Sequence, residues 1–600
     1  STSVVWNIWA DPSYSSILYT TSTNDDKTTV RTFDPTMCAE VSQGITLRLL
    51  SGDGESLDAV DTSSEEYTQQ YQTVYDALSK IDSSYVVLAT KVNNAVKLSI
   101  EDYVSGFNKA HKKGSGADRI GRVSVSTEKS SQRNYPYGAF AAAVLGFTDG
   151  EGVGTYGLEK SYQSTLAGVD GRTITRRNAV GNAIADQNAT TFAAKDGSNL
   201  VLSLDVNVQE IVERYLTEAV AANNVENRGC AIVMNVKTGA ILAMASNRRY
   251  DLNDPRNLGA MYTQEQIDAM TEEQKSEAWN QMWRNFCVSD SFEPGSPAKP
   301  LTVAAALEEG VIGPQETFVC DGAQEVGGHR IKCVSIYGHG VLSVEQTLMK
   351  SCNDAMMQIA ARMGVERFAR YQEIFGFGQK TGIDLPGEAD TAGLIFHADN
   401  MGAADLACNS FGQTYNCTMV QMAAALSSVI NGGSYYEPHV VKQILNDQGA
   451  VVKKVEPNLV RETVSQATSD FVRNAMFLTV DSEEGTGKAG RVAGYKIGGK
   501  TGTAQKLPRS ANNYLLSFAG FAPADDPQVL TYVVIDTPNL PGKEQAHSTF
   551  ATEVFQKIMT EVLPYMNIFP DTDVAGTEDE SLAAQGEGIT NQNQGGLEPG

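Results

Sequence analysis

The stretch Leu301-Thr-Val-Ala-Ala-Ala-Leu307 has no charged residue and a single hydroxyl, and it starts two residues after Lys299. Gly310 ends the run, and Pro297 suits a first helical turn, where no N–H is needed. A helix that is apolar on every side must be enclosed by other elements. The chain is therefore committed to a layered domain with a helix at its centre. Lys299 heads that helix, and Ser296 stands three residues earlier on the same face, so the amine can reach the hydroxyl. Burial disfavours the ammonium and lowers the lysine pKa, the condition for a lysine that takes up a proton. The N–H groups at such a helix start favour developing negative charge.

Two further motifs follow in order, Ser351-Cys-Asn353 and Lys500-Thr-Gly-Thr503. Any one motif alone means little, because the chain holds decoys of each. Ser126-Thr-Glu-Lys129 fits Ser-x-x-Lys but lies in a polar stretch with no apolar helix behind it. A lysine there sits in water, stays protonated and cannot act as a base. Lys237-Thr-Gly239 reads as a hairpin turn and Lys380-Thr-Gly382 as a loop. Only Lys500-Thr-Gly-Thr503 stands between two strand candidates and carries a second threonine. Ser22-Thr-Asn24 and Ser510-Ala-Asn512 lie outside the interval between the other motifs; Ser351-Cys-Asn353 lies inside it and precedes a helix. A strand at Lys500 can pair with an extended peptide. Gly502 lets that backbone come close. Lys500, Thr501 and Thr503 offer charge and hydroxyl donors to a carboxylate.

At 600 residues the chain is too long for one core. A net charge of −25 argues against a nucleic-acid partner, since phosphate binding needs clustered Lys and Arg. No apolar run reaches the roughly eighteen residues of a membrane span. The chain opens as a strand at Ser1-Thr-Ser-Val-Val-Trp6 without a signal peptide, as expected of an ectodomain whose N-terminal membrane anchor is missing. Residues 1–195 are polar, turn-rich and carry strand-like runs such as Ser84-Tyr-Val-Val-Leu-Ala-Thr90, which predicts an elongated α+β module. In 196–566, Val208–Ala222 has helical spacing, and Gly229–Asn235 with Ala240–Ala245 reads as a hairpin. Helices dominate 299–428, and strands return near 496, 515 and 529. This predicts an α+β fold: an antiparallel sheet flanked by helices, plus an all-helical subdomain. Residues 567–600 are acidic, lack Lys and Arg, and are expected to form a disordered tail.

With these motifs the chain resembles the class B penicillin-binding proteins, the monofunctional D,D-transpeptidases of bacterial cell-wall synthesis. Arg133-Asn-Tyr-Pro-Tyr-Gly138, Val144-Leu-Gly-Phe147, Gly154-Thr-Tyr-Gly-Leu-Glu159 and Leu166-Ala-Gly-Val-Asp-Gly171 are similar to pedestal signatures of that family. Phe292-Glu-Pro-Gly-Ser296, Glu484-Gly-Thr-Gly487 and Phe518-Ala-Gly-Phe-Ala-Pro523 fit its catalytic domain. The resemblance covers roughly 130–565 and is nearest the elongation and sporulation enzymes of Gram-positive bacteria. It implies a dimerisation-type pedestal at 1–195 and a transpeptidase domain at 196–566. Ser296 would be the acylated nucleophile and Lys299 its base. Ser351 would relay a proton, Asn353 orient the donor peptide, and Lys500 support the proton network. Thr501 and Thr503 would contact the donor carboxylate. The implied ligands are peptidoglycan stem peptides and β-lactam antibiotics; the implied partner is a membrane glycosyltransferase, outside the cytoplasmic membrane. No cofactor is needed for catalysis. A β-lactamase or β-lactam sensor of the same fold is the alternative, although no deacylating glutamate can be assigned; Glu308 and Glu309 read as the solvated end of the nucleophile's helix. A non-catalytic wall-synthesis scaffold is the other.

The eight cysteines are too sparse for a disulfide scaffold and mostly read as small buried residues. The exception is Cys320-Asp-Gly-Ala-Gln-Glu-Val-Gly-Gly-His329-Arg-Ile-Lys-Cys333, followed by His339. Two Cys and two His within twenty residues stand out in a chain with six His. Cys320, His329, Cys333 and His339 suit a structural zinc, with Asp321 as an alternative to either His. A Cys320–Cys333 disulfide, or two unbonded thiols, are the other readings. The family resemblance makes His339 the least secure ligand, because Gly338-His-Gly340 recurs in relatives whatever their cysteines. Cys352 reads as packing between two working side chains.

Overall fold

The computed structural model describes residues 2–111, 122–174, 190–540 and 544–570. From residue 571 onward the expected acidic tail lies outside the described residues. The chain divides into two compact units, Ser1–Tyr137 with Gly150–Gly152, and Gly138–Asp149 with Val153–Gly600. The division falls at Tyr137, whereas the sequence placed a boundary near 195. Burial accounts for the difference: Val144 and Leu158 join the large core of the second unit.

In the first unit Thr2–Ala10 is the central strand of an antiparallel sheet, between Val86–Val92 and Val125–Arg133. Helices Pro35–Ser51, Glu65–Leu78 and Asn94–Ala110 are started by the Asp34, Ser64 and Asn93 side chains, each accepting from backbone N–H groups of the first turn. Ile8, Leu88, Ile45, Val74 and Ile100 bury one shared core.

The second unit is built on five antiparallel strands in the order Ile241–Ser246, Val225–Asn235, Val529–Pro538, Tyr514–Ala522, Gly498–Gln505. Side chains alternate between two buried faces. Ile232, Met234, Tyr532 and Val534 face one core with Leu301 and Leu426. Ala231, Val233, Val533 and Ile535 face another, covered by helices Val206–Ala222 and Thr549–Tyr565. Because both faces are dry, the strands read as continuous apolar runs. Helix Lys299–Glu308 is buried from Lys299 through Ala306, as its composition requires.

The interval 299–428 is less purely helical than its sequence suggested. Thr317–Cys320 pairs with Gly340–Ser343, and Ala323–Val326 pairs with His329–Lys332. These strands are four residues each, too short to show a periodicity, and glycine turns separate them.

Candidate active site

Ser296–Ala298 form a single tight turn that runs into helix Lys299–Glu308. The turn leaves Ser296 half-buried while Lys299 is fully enclosed. Strand Gly498–Gln505 ends the sheet order, so among the described residues one of its edges has no strand partner. Its Gly502 lies against the turn: a Cβ there would stand 2.7 Å from Pro297 Cδ and 2.3 Å from Ser517 Oγ. Glycine is required at this position for close approach. The middle motif comes from the turn before helix Asn353–Ile374, where Ser351 holds a left-handed backbone, φ 52°. For a non-glycine residue this costs about 1–2 kcal/mol and marks a site where geometry is imposed.

Ser351 Oγ is the hub. Lys299 Nζ donates to it at 2.9 Å and Lys500 Nζ at 3.0 Å, and it donates to Ser296 Oγ at 3.1 Å. Lys299 Nζ also donates to the Ser351 carbonyl at 2.6 Å, and Lys500 Nζ to the Thr501 carbonyl at 3.1 Å. Burial pulls the Lys299 pKa from 10.5 to about 7, partly opposed by Cys333 and Cys352. Burial, then repulsion from Lys299, holds Lys500 well below its ordinary value. Two ammonium groups on one buried hydroxyl would repel, so the pair favours at most one proton's charge. A buried neutral amine beside a hydroxyl can accept its proton. Sequence spacing put Lys299 directly on Ser296; in the structure its link to Ser296 passes through Ser351.

Asn353 is half-buried, and its Nδ2 reaches the Lys332 carbonyl at 3.5 Å. Thr501 is buried and donates to Thr486 Oγ1 at 3.2 Å, while Thr503 is exposed. Thr486 belongs to Glu484-Gly-Thr-Gly487, which in sequence carried only a family likeness. The decoys are held apart by their elements. Ser126 and Lys129 lie on strand Val125–Arg133, where residues three apart face opposite sides. Lys237 sits in a hairpin turn paired to Asp526, and Lys380 is exposed.

Beside the hub, Cys320, Cys333, His339 and Cys352 bring their ligand atoms within 4.8 Å of one another. Cys320 Sγ stands 3.4 Å and Cys333 Sγ 3.7 Å from His339 Nδ1, with 3.7 Å between the sulfurs of Cys333 and Cys352. Zn–S bonds of about 2.3 Å and Zn–N bonds of about 2.0–2.1 Å at tetrahedral angles imply S···S edges of about 3.8 Å and S···N edges of about 3.6 Å. The donor set and its spacing therefore fit zinc. The cysteines are free thiols rather than a Cys320–Cys333 disulfide. His329 is exposed at the end of its hairpin opposite Val326, and the Asp321 side chain is exposed outside the group. The fourth group of the cluster is Cys352, which local spacing could not reveal because it lies nineteen residues beyond Cys333. Cys352 also accepts from Ala355 N–H at 3.3 Å, capping the helix that starts at Asn353. The Cys352 thiol, together with backbone N–H groups, pushes Cys333 down to about 4.

With the geometry in place, the penicillin-binding protein transpeptidase domain family matches residues 229–560, and the penicillin-binding protein dimerisation domain family matches 11–202. The chain belongs to the penicillin-binding protein transpeptidase family. Among its relatives in this family, stage V sporulation protein D of Bacillus subtilis is 36% identical over 452 residues, 74% of this chain and 66% of that protein. Peptidoglycan D,D-transpeptidase FtsI of Escherichia coli is 33% identical, covering 77% of this chain and 72% of that one. The structure of penicillin-binding protein 3 from Mycobacterium tuberculosis complexed with aztreonam aligns with TM-score 0.62 at 28% identity, over 74% of this chain and 93% of that one. The match to the sporulation protein thus falls just short of two thirds of its length. Among the described residues no helix is long and apolar enough to cross a membrane.

Proposed function

We propose that this penicillin-binding protein is a serine D,D-transpeptidase that cross-links peptidoglycan stem peptides. The observation that carries the reading is Ser351 Oγ, shared by the amines of Lys299 and Lys500 and bonded to Ser296 Oγ. Ser296 Oγ attacks the D-Ala–D-Ala carbonyl carbon as its proton passes through Ser351 to neutral Lys299. The backbone N–H groups of Ser296 and Thr503 are the donors for the oxyanion. The proton is returned to the departing D-alanine nitrogen, leaving the acyl group on Ser296. An amine of a neighbouring stem peptide then takes the acyl group and restores the hydroxyl. Thr501 and Thr503 contact the donor carboxylate, Lys500 supports the proton network at Ser351, and Asn353 orients the donor peptide. A β-lactam presents the same amide and acylates Ser296.

Hydrolysis of that acyl-enzyme would need a base free to activate water. Glu308 instead accepts from the Ser465 N–H and hydroxyl and from Thr468 Oγ1, capping helix Gln466–Asp481. Glu309 is paired with Arg367 and Arg370. This favours the transpeptidase over a β-lactamase. The enzyme would work outside the cytoplasmic membrane beside a membrane glycosyltransferase.

Cys320, Cys333, His339 and Cys352 would hold a structural zinc. The ion would supply rigidity to the turn carrying Ser351 and Asn353 and takes no part in acyl transfer. Labelling with a fluorescent penicillin and mapping of the modified residue tests the central reading. Modification of Ser296 supports it; a label elsewhere, or none, sinks it.

A further inference from the structure

Segment 292–295 leads directly into Ser296 and is paired with 412–417. Phe292 and Cys417 exchange two backbone hydrogen bonds of 3.0 Å each, and the Gly295 N–H donates to the Gly412 carbonyl at 2.9 Å. The approach is close: a Cβ on Gly412 would stand 2.0 Å from the Gly295 carbonyl oxygen. A Cβ on Gly295 would stand 3.4 Å from the Ala504 Cβ, on strand Gly498–Gln505. Gly295 therefore touches both the turn at 412 and the strand that carries Thr503. Ser296 and Thr503, whose N–H groups are the oxyanion donors, are the chain neighbours of Gly295 and Ala504. The spacing of the two donors is thus set by how firmly Gly295 is held.

The turn holds a conformation that its sequence does not favour. Thr414 is β-branched and has φ 65°. There its Cβ crowds the backbone, and such a residue persists only where its surroundings impose it. Three bonds do so. The Thr414 N–H donates to Glu293 Oε1 at 2.9 Å, and Asn409 Nδ2 donates to Thr414 Oγ1 at 2.8 Å and to the Gln413 carbonyl at 3.2 Å. Asn409 is buried at the end of helix Ala403–Asn409, where Gln372 Nε2 donates to its Oδ1 at 3.0 Å. Asn409 thus acts from the helix before the turn, whereas Glu293 reaches the turn from the nucleophile's own segment.

We infer that Glu293 is a positioning residue for acyl transfer: through Thr414 and Gly412 it sets where the Ser296 N–H stands relative to the Thr503 N–H. The inference rests on the transpeptidase reading, which places the developing oxyanion between those two donors. Charge on that oxygen appears only as the acyl bond forms. A misplaced donor therefore slows the covalent step and leaves the affinity for the acyl donor nearly unchanged.

Acylation by a chromogenic β-lactam, followed over a range of concentrations, separates rate from affinity. Glu293→Ala should lower the saturating acylation rate by about 10- to 100-fold with little change in the half-saturating concentration. Glu293→Gln keeps an acceptor oxygen and should recover most of that rate. Glycine adopts φ 65° without the Cβ penalty, so Thr414→Gly added to Glu293→Ala should also recover rate. A purely structural role would lower the melting temperature and give no such rescue. Should Glu293→Ala fail to fold, the exposed position 414 gives the same answer. Thr414→Ala keeps the penalty but loses the Asn409 bond, so it should acylate about tenfold more slowly than Thr414→Gly. A wild-type rate in Glu293→Ala, a change confined to the half-saturating concentration, no rescue by Thr414→Gly, or equal rates in the two Thr414 variants overturns the inference. Penicillin labelling of Ser296 in the wild type separates the two readings. If it is present, those outcomes sink only the positioning role; if it is absent, the transpeptidase reading falls.

Discussion

Lys299 and Ser351 are joined twice, from the lysine amine to the serine hydroxyl at 2.9 Å and to its carbonyl at 2.6 Å. The second bond spends one N–H on a fixed acceptor and aims the rest of the amine at the hydroxyl. With its pKa near 7, Lys299 is poised to exchange a proton at physiological pH.

The pH dependence follows from that value. Lys299 is a base only when neutral, so protonation inactivates it. The acylation rate of Ser296 should rise about tenfold per pH unit below 7 and level off above it. Stopped-flow acylation by a chromogenic β-lactam between pH 5 and 9 measures this; a flat profile through 7 contradicts the assignment. Lys299→Arg cannot lose its proton and should slow acylation by about 100- to 10,000-fold.

Ser296→Ala should abolish covalent labelling while the melting temperature changes little, since the side chain is half-buried and small. Ser126→Ala and Lys129→Ala lie on a strand of the first unit and should leave the labelling rate unchanged, with stability within about 0.5 kcal/mol of wild type. Gel fluorescence and thermal melts read both. A labelling loss in either decoy variant would be fatal to the choice of motif.

Gly502→Ala puts a methyl group 2.7 Å from Pro297 Cδ and 2.3 Å from Ser517 Oγ. The strand must move off the nucleophile's turn, at a cost of about 1–3 kcal/mol. Acylation should slow, because the donor carboxylate and the oxyanion donor at Thr503 move with the strand. Wild-type acylation kinetics in this variant would show that the close approach is irrelevant.

Purified protein should carry about one zinc per chain, bound by Cys320, Cys333, His339 and Cys352. Removal by a chelator should lower the melting temperature and slow acylation. Cys352→Ser should lose zinc, whereas His329→Ala and Asp321→Ala should keep it. Elemental analysis of the variants decides; a metal-free wild type with reactive thiols rules the site out.

Much of this was legible along the chain. The run Leu301–Leu307 specified an enclosed helix, because no face of it can meet water. Burial on both faces made the strands around Ile232 and Val533 readable as apolar runs. The order and context of Ser296, Lys299, Ser351, Asn353 and Lys500 selected one copy of each motif from its decoys. Partners distant in sequence were not legible. Cys352 completes the thiol cluster and His329 does not, because a hairpin turns His329 outward while a helix start brings Cys352 in. Lys500 meets Lys299 only because the sheet's last strand lies against the nucleophile's turn. Local sequence determines which segments must be buried, since burial depends on composition within a few turns. Which side chains share one buried hydroxyl or one set of sulfurs is decided by how those segments pack, and only the tertiary structure holds that.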